Sequence, residues 1–211
     1  MYRHFFKRLF DFLIGLCALP FVLLVIVIFA PLIYFTDRGP IFYNAERIGK
    51  GCKMFKMFKL RSMYVNSPDL KNPDGSTFNS SNDSRVTPIG RFLRKTSLDE
   101  FPQFLNILIG DMSFIGPRPK VGKIDYKNLT TEKKKSYSIK PGVTGYSQAY
   151  FRNSISNEEK YYYDAYYADN MSFTMDMKII FQTFYSVITQ KNINTVKYGK
   201  NPSVSSKNGK K

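Results

Sequence analysis

The sequence is poor in the residue types that many catalytic and structural sites require. Its 211 residues include a single histidine, His4, and two cysteines, Cys17 and Cys52. A Ser–His or Cys–His triad therefore has no credible base, and a zinc site has too few His and Cys ligands. Neither a P-loop pattern nor a dinucleotide-binding fingerprint occurs. Any catalysis must depend on carboxylates, Lys, Arg, Tyr or a hard metal ion.

The charge is strongly unbalanced towards basic residues. The chain carries 32 Lys and Arg residues against 16 Asp and Glu residues, a net charge of +16. This excess favours anionic partners, which are nucleic acid, lipid headgroups or phosphorylated substrates, and composition does not choose among them. With 43% hydrophobic residues, the length suits one globular domain plus a membrane segment, but not two full domains.

One long apolar segment predicts a membrane helix. Residues 12–34 are almost wholly apolar and contain no charged side chain. At about 1.5 Å per residue, such a helix can cross a hydrocarbon core of roughly 30 Å. A signal peptide fits poorly, because the run is too long and no small-residue cleavage site follows. Cys17 lies within the segment, so we expect no disulfide with Cys52 and a reducing, cytosolic setting.

Two paths through the membrane fit this segment. Basic residues lie on both sides of it, so the positive-inside rule gives no orientation. A simple spanning anchor is the commoner arrangement. A hairpin that enters and leaves on the cytoplasmic side satisfies both flanks, and Pro20 can bend the helix because it removes a helical hydrogen bond. The flanking basic residues are Arg3, Lys7, Arg8, Arg38, Arg47, Lys50 and Lys53.

The rest of the chain predicts short strands, loops and helices. Apolar residues at three- and four-residue spacing indicate the helices, and the last helix has an apolar face that suits either a core or the bilayer surface. The predicted elements are short strands or loops over 36–63, a surface loop over 64–84, helical structure over 88–109 interrupted at Pro102, helices over 158–169 and 173–190, and a disordered tail from residue 198.

The segment Thr96–Pro102 contains an adjacent acidic pair, Asp99 and Glu100. Its plain interpretation is a capping box, in which Ser97 begins a helix and Glu100 reaches back. The same geometry suits catalysis, since a carboxylate at a helix N-terminus stays ionised. An ionised Asp can attack phosphorus and form an acyl phosphate. Two adjacent carboxylates can also hold Mg²⁺ together with substrate phosphate oxygens, so both interpretations stay open.

Several basic residues are candidates for phosphate contacts. Arg118 lies between Pro117 and Pro119, which restrict the backbone on either side, so its guanidinium suits bidentate phosphate binding. A structural carboxylate partner is the equal alternative. Five more basic residues could each belong to a solvated surface, but together they exceed what structure requires near the acidic pair: Lys59, Arg61, Arg91, Arg94 and Lys95.

In combination, these segments resemble the small monotopic phosphoglycosyl transferases of the bacterial sugar transferase family. The resemblance extends from Tyr2 to about Thr189, and SLDE-PQ with GDMS-IGPRP at close spacing is its most specific part. The matching stretches are KRLFD (7–11), ERIG (46–49), FKLRSM (58–63), NDSRVTPIGRFLRKTSLDEFPQ (82–103), GDMSFIGPRP (110–119), KPGVTGYSQ (140–148), YDAYYADN (163–170) and MDMK (175–178).

The resemblance implies a fold and a setting. The expected fold is α+β and mostly helical, with a re-entrant membrane helix over 1–36 that breaks near Pro20, a catalytic domain with interfacial helices over 37–195, and a disordered tail over 196–211. The active site would face the cytoplasm at the bacterial inner membrane, in contact with membrane phospholipid. Nucleic acid is not an expected partner. A homodimer is compatible with the sequence, which carries no specific interface signal.

The resemblance also implies a reaction and its residues. Asp99 would attack the β-phosphorus of a UDP-sugar, release UMP and carry the phosphosugar until a polyprenyl phosphate, usually undecaprenyl phosphate, attacks it. Glu100 would complete the dyad, and both carboxylates are candidate ligands for Mg²⁺. The expected substrate-binding residues are Lys59, Arg61, Arg94, Arg118, Gly142, Gln148 and Asp164; for Asp164 and for a second recurring acid, Asp176, a purely structural role is the alternative.

Three departures from the family pattern and two rival hypotheses accompany this interpretation. One departure is the loop over 64–84, which is longer than in the smallest members. Ala45 stands where many members have Gln, and Leu19 stands before Pro20 where a Ser often stabilises the helix break. One rival is a membrane-anchored basic scaffold for nucleic acid or anionic lipid. The other is an inverting glycosyltransferase, which would release UDP. The sequence does not specify the sugar or the glycan.

Overall fold

The computed structural model describes residues 2–68, 70, 83–122, 124–152 and 154–189. Within these ranges the chain is mostly helical and has two small sheets, which confirms the expected α+β, mostly helical class. Most of the predicted loop over 64–84 and the whole predicted tail over 196–211 lie outside the described residues.

The elements follow in a simple order along the described chain. A π-helical turn (Tyr2–Phe6) precedes the first helix, and 3-10 turns lie at Lys50–Cys52, Leu98–Glu100 and Tyr126–Asn128. The helices and strands are α1 (Lys7–Asp37), β1 (Ala45–Ile48), β2 (Met54–Met57), α2 (Pro88–Thr96), α3 (Gln103–Ile109), β3 (Ser113–Ile115), α4 (Thr131–Ser136), β4 (Gly142–Thr144), α5 (Tyr146–Tyr150), α6 (Asn157–Asn170) and α7 (Phe173–Ile188).

Helix α1 contains the predicted membrane segment. Its 31 residues are long and apolar enough to cross a bilayer, by length and composition. Pro20 lies inside the helix, which continues to Asp37 and ends where Arg38 adopts a left-handed conformation with φ 54°. The break expected near Pro20 is therefore not a gap in the helix, and the re-entrant path stays a prediction.

The beginning of α1 is attached to the rest of the protein by buried polar groups. Lys7 Nζ lies 2.8 Å from Asp176 Oδ2 on α7. Asp11 Oδ1 accepts hydrogen bonds from Ser113 Oγ and from the backbone N–H of Phe114, both in β3. Because these side chains are buried, the contacts fix the helix against β3 and α7.

The end of α1 is attached through Arg61, which was expected to bind substrate. Two nitrogens of its buried guanidinium contact the two Asp37 oxygens at 2.6 Å. The same guanidinium also donates to the backbone carbonyls of Pro40 and Met63. Its donors are engaged by α1 and the segment that follows, so the arrangement favours a structural role for Arg61 over the predicted substrate contact.

The two sheets bring distant segments of the chain together. Strands β1 and β2 form an antiparallel pair in which Ala45 lies opposite Met57. Strands β3 and β4 form a parallel pair in which Ser113 lies opposite Gly142. The parallel pairing places the segment that follows β3 directly beside β4, and that segment contains the proline-flanked arginine.

Three apolar clusters form the core. One lies between β3, α6 and α7, a second joins α1 to the residues before the acidic pair, and a third lies under β2 and α3. Their shared feature is burial of apolar side chains, of which the larger aliphatic ones contribute about 1.5–3 kcal/mol each. The clusters are Ile115, Ile139, Ala149, Tyr167, Ala168 and Ile179; Ile33, Leu60 and Leu93; and Met57, Ile107 and Met112.

Helices α6 and α7 confirm the two predicted C-terminal helices. Ser156 and Glu159 form a capping box at the start of α6, and Ser172 caps α7. On α7, Ile179 is buried, whereas Ile188 is 79% exposed. One side of this helix therefore packs on the core, and the other presents apolar surface outside it.

Replacing Asp176 by Asn should destabilise the protein. The carboxylate is buried, faces Lys7, and accepts hydrogen bonds at 2.6 Å from the hydroxyls of Tyr2 and Tyr167. The substitution would leave Lys7 with only the more distant Asp11, at 3.6 Å, and would remove the charged acceptor of two hydroxyls. We therefore expect a loss on the order of 3 kcal/mol in the free energy of unfolding, measured in detergent.

Asp169→Asn is the matched control. Asp169 forms an exposed ion pair with Lys135, so its loss should change the free energy of unfolding by less than about 1 kcal/mol. Equal effects of the two substitutions would contradict the role given to the buried network.

Candidate active site

The acidic pair lies on the 3-10 turn Leu98–Glu100, between α2 and α3. Ser97 ends α2 in a left-handed conformation with φ 58°, and its side chain caps nothing. The capping-box interpretation is therefore wrong. Helix α3 begins at Gln103, directly after Pro102, where a proline costs no helical hydrogen bond.

Asp99 is buried, and its carboxylate is covered by the side chain of Lys59. The Lys59 Nζ lies 2.8 Å from Asp99 Oδ2 as an ion pair. The contact lacks hydrogen-bond geometry, so Oδ2 has no hydrogen-bond partner within the described ranges. The Asp99 carbonyl accepts a 2.9 Å hydrogen bond from Leu60 N, which fixes the turn beside the segment that contains Lys59.

Glu100 contacts two cations. Lys59 Nζ and Arg118 Nη2 each lie 3.3 Å from Glu100 Oε1. Burial by itself raises the pKa of this carboxyl, but the charges and hydrogen bonds of Arg118 and Lys59 more than offset that effect and hold the pKa below its usual value. Glu100 is therefore ionised at neutral pH.

The approach of Lys59 to the pair depends on a residue that sequence reasoning missed. Asn106, fully buried on α3, accepts a 2.8 Å hydrogen bond from Phe58 N and donates one of 2.8 Å to the carbonyl of Lys56. These bonds pin the end of β2 against the helix that follows the acidic pair. Neither the segment 56–63 nor the segment 105–108 contains a local pattern that predicts the contact of Asn106 with the end of β2.

Arg94 and Arg47 add positive charge around the pair. Arg94, a predicted substrate-binding residue, donates from Nε to Ser62 Oγ at 2.9 Å, and its charge is attracted to Asp99. Arg47 on β1 is attracted to Glu100. Sequence reasoning treated Arg47 as a basic flank of the membrane segment, because nothing local links β1 to the acidic pair.

Gly142 supports the segment that contains Arg118. Its N–H donates to the carbonyl of Pro117 at 2.9 Å, and Gly116 N donates to the carbonyl of Thr144 at 2.8 Å. A Cβ at Gly142 would lie 2.1 Å from Gly116 N, so only glycine permits this approach. Arg118 therefore projects from a backbone held on both sides, as its flanking prolines indicate.

Gln148 on α5 directly follows Ser147, the hydrogen-bond partner of Asp164 on α6. Asp164 is buried and accepts a 2.8 Å hydrogen bond from Ser147 Oγ. Burial raises the pKa of Asp164 to about 6, although that hydrogen bond and the charges of Lys120 and Lys160 act in the opposite direction. Gln148 Oε1 is buried without a hydrogen-bond partner in the described part of the chain. Substrate contacts of both residues stay predictions.

The carboxylate oxygens of Asp99 and Glu100 are suitable ligands for a magnesium ion. Mg²⁺ is commonly held by one or two carboxylates plus substrate phosphate oxygens, and Asp99 and Glu100 already share one cation, the ammonium of Lys59. The described ranges contain no group of three or more His, Cys, Asp or Glu that could hold a metal ion. Phosphate oxygens and water would have to supply the other ligands.

Comparison with known proteins decides the family. The family described as bacterial sugar transferase matches residues 2–190. The chain belongs to this family. The predicted resemblance is therefore confirmed, and the protein is an enzyme of the transferase class.

Similar proteins extend this finding. The chain is 37% identical to the uncharacterized sugar transferase EpsL of Bacillus subtilis, over 89% of both chains. It is 35% identical to the undecaprenyl-phosphate galactose phosphotransferase of Salmonella typhimurium, over 85% of this chain and 40% of that protein. It is 36% identical to the UDP-glucose:undecaprenyl-phosphate glucose-1-phosphate transferase of Klebsiella pneumoniae, over 85% of this chain and 39% of that protein. The chain thus spans less than half the length of these two larger relatives.

Replacing Asp164 by Asn should change how stability depends on pH. Between about pH 4 and pH 6 the folded protein keeps a proton on Asp164 that the unfolded chain releases, because the pKa rises to about 6 on folding. The contribution of Asp164 is therefore full below pH 4 and is lost as the pH rises through 6. Asn lacks this titration, so the difference in unfolding free energy between the two proteins should change by an amount on the order of 3 kcal/mol over this interval.

Unfolding in detergent at pH 4, 5, 6 and 7 provides the measurement. Asp169→Asn, in an exposed pair, should give a curve parallel to that of the unmodified protein. A parallel curve for Asp164→Asn would show that Asp164 titrates normally.

Proposed function

We propose that the protein transfers a sugar 1-phosphate from a UDP-sugar to a polyprenyl phosphate, such as undecaprenyl phosphate, giving polyprenyl-diphosphate-sugar and UMP. The observation that carries the proposal is the buried Asp99 carboxylate, whose Oδ2 is paired with Lys59 but accepts no hydrogen bond. Glu100 beside it contacts both Lys59 and Arg118. The activities for which the Salmonella and Klebsiella relatives are named support the same reaction class. This would be the first membrane step in the assembly of a capsule, O-antigen or glycoprotein glycan.

The reaction proceeds in two displacements at one phosphorus atom. In the first, an oxygen of Asp99 forms a bond to the β-phosphorus, the bond from that phosphorus to the bridging oxygen breaks, and UMP leaves with the electron pair. In the second, an oxygen of the polyprenyl phosphate bonds to the same phosphorus, and the bond to Asp99 breaks. Covalent capture lets two different phosphate substrates use one site in turn.

The basic residues stabilise charge that moves during these steps. Lys59 covers the Asp99 carboxylate, so it must shift before phosphorus can approach. Its ammonium can then bind the donor diphosphate, together with Arg118, which is already aimed at the pair. Glu100, held ionised by both cations, keeps them in place while no substrate is bound.

Asp99 and Glu100 would hold Mg²⁺ in the presence of the donor. The ion would supply charge neutralisation for the diphosphate and for the departing UMP. Displacement of Lys59 from the shared position between the carboxylates would make room for it, so metal binding and the movement of Lys59 are linked.

The attachment of α1 supports a site on the cytoplasmic surface of the inner membrane. Both ends of this helix bind the same globular part, through Asp11 and Asp37. A helix that enters and leaves the bilayer on one side satisfies both attachments, which favours the re-entrant path over the spanning anchor. The phosphate of a polyprenyl lipid lies at that surface, and the net charge of +16 attracts anionic phospholipid and both substrates.

Replacing Asp99 by Asn should abolish turnover. An amide oxygen is a far weaker nucleophile than a carboxylate, so the rate of UMP release from a UDP-sugar panel with undecaprenyl phosphate should fall by at least about 10³-fold. In the unmodified protein, donor without acceptor should add the mass of the phosphosugar to the denatured chain. Asp99→Asn should show no such adduct.

Asp169→Asn controls for the loss of one surface carboxylate and should retain turnover. Release of UDP instead of UMP would rule out phosphosugar transfer and support the glycosyltransferase hypothesis. Tight binding to anionic vesicles without release of either nucleotide, by folded protein, would favour the scaffold hypothesis.

The dependence of turnover on Mg²⁺ concentration should change when Glu100 is replaced. A chelator should abolish UMP release, and Glu100→Gln should raise the Mg²⁺ concentration for half-maximal turnover by at least about tenfold, because one charged ligand is lost. Glu132→Gln, on the first turn of α4, is the matched control and should leave the titration unchanged. Full turnover in chelator would exclude the metal site.

A further inference from the structure

Lys120 is a buried amine without a hydrogen-bond partner among the described residues. It directly follows the GPRP segment, two residues after Arg118. Its Nζ lies 3.2 Å from the centroid of the Tyr161 ring on α6. No sequence motif singled it out, and the reaction described above gives it no role.

The surroundings of this amine are polar but leave its N–H groups unused. Tyr161 is hydrogen bonded through its hydroxyl to that of Tyr137, at 3.0 Å. Burial lowers the pKa of Lys120 to about 8, so the amine is still largely protonated at neutral pH. The charged groups that act on it are Asp164, Lys160 and Glu158 of α6 and Lys133 of α4.

Lys120 shares a cleft with the phosphate-binding arginine. Pro117, Arg118 and Lys120 line it together with Tyr137 and Ile139. Arg118 also contacts Glu100 at 3.3 Å, so this side chain links the cleft to the acidic pair. A group bound at the pair and at Arg118 would extend towards Lys120.

Such an amine is costly to keep if it has only a structural role. A buried charged donor without an acceptor loses its hydration, and stacking on a tyrosine ring recovers only part of that loss. Methionine would fill the same space on the ring without that penalty. Buried polar groups that are left unsatisfied in native proteins require an explanation, and a ligand that supplies the missing acceptor is one.

We propose that Lys120 is a donor-binding residue: on binding of the nucleotide sugar, its ammonium leaves the Tyr161 ring and donates hydrogen bonds to an oxygen of that ligand, beside Arg118. The four-carbon stem of lysine permits this movement. The acceptor oxygen belongs either to the UMP portion of the donor or to its phosphosugar portion. The inference rests on the proposed function, since it takes the UDP-sugar as the ligand.

Lys120→Met tests the proposal, with Lys127→Met as the matched control. Lys127 is exposed, and its substitution removes the same charge from the surface. Loss of a charge-assisted hydrogen bond predicts that Lys120→Met raises the KM for the UDP-sugar about 10- to 100-fold, while kcat changes less than about threefold. Lys127→Met should change neither parameter.

Stability separates this role from a structural one. Because Lys120→Met removes an unpaired buried amine and keeps apolar contact with Tyr161, its melting temperature should equal or exceed that of the unmodified protein. A lower melting temperature with unchanged KM would establish a structural role instead. Lys120→Gln, which is also uncharged, provides the same kinetic comparison if the methionine variant does not fold.

Binding of UMP identifies the source of the acceptor. An increase in the Kd for UMP equal to the increase in KM assigns the oxygen to the UMP portion, whereas an unchanged Kd for UMP assigns it to the phosphosugar portion. Unchanged KM and Kd in both Lys120 variants would overturn the proposal. If the unmodified protein turned over no UDP-sugar, the proposed function itself would be wrong. That outcome is distinct from one in which the protein is active but Lys120 has no effect on KM or Kd.

Discussion

The ammonium of Lys59 between two adjacent carboxylates is the interaction on which the rest of the site depends. Asp99 and Glu100 lie on one short turn, where the two adjacent negative charges would repel each other and the buried one, Asp99, would also lose hydration. Lys59 contacts both carboxylates. The backbone hydrogen bond from Leu60 to Asp99 holds the Lys59 segment beside the turn. The site is therefore held together by a charge from the segment that follows β2, about 40 residues earlier in the chain, and a phosphate substrate can attract the same charge.

The membrane helix positions both halves of this site. At its end, Asp37 binds Arg61, two residues after Lys59. At its beginning, Asp11 binds the β3 backbone, which leads into the Arg118 segment. The two cations that flank the acidic pair are thus attached to opposite ends of one helix. Its seating in the bilayer and the geometry of the site cannot vary independently, because buried polar contacts connect them.

The sequence predicted what depends on local patterns and missed what depends on distant contacts. Helices α6 and α7 were predicted within two residues, because apolar spacing defines them, and their serine caps agree. At Ser97 the local capping pattern gave the wrong answer, since the ion pairs of Glu100 with Lys59 and Arg118 outweigh one cap. For a similar reason the sequence did not predict that Arg61 pairs with Asp37 or that Arg47 lies within electrostatic reach of Glu100: spacing along the chain does not show which carboxylate an arginine meets.

The unsatisfied polar atoms of the protein indicate where its chemistry lies. Among the described residues, the buried side-chain atoms without a hydrogen-bond partner are Asp99 Oδ2, Gln148 Oε1 and Lys120 Nζ. Folding normally satisfies such atoms, because each orphan costs about 1–3 kcal/mol or more when charged. Asp99 Oδ2 is paired with Lys59 but accepts no hydrogen bond, and it is the oxygen that the proposed reaction would bond to phosphorus. Lys120 lines a cleft with Arg118, and Gln148 lies beside Gly145, which packs on Gly116. Their orphan atoms therefore flank the arginine segment, where a bound nucleotide sugar would complete what the fold leaves open.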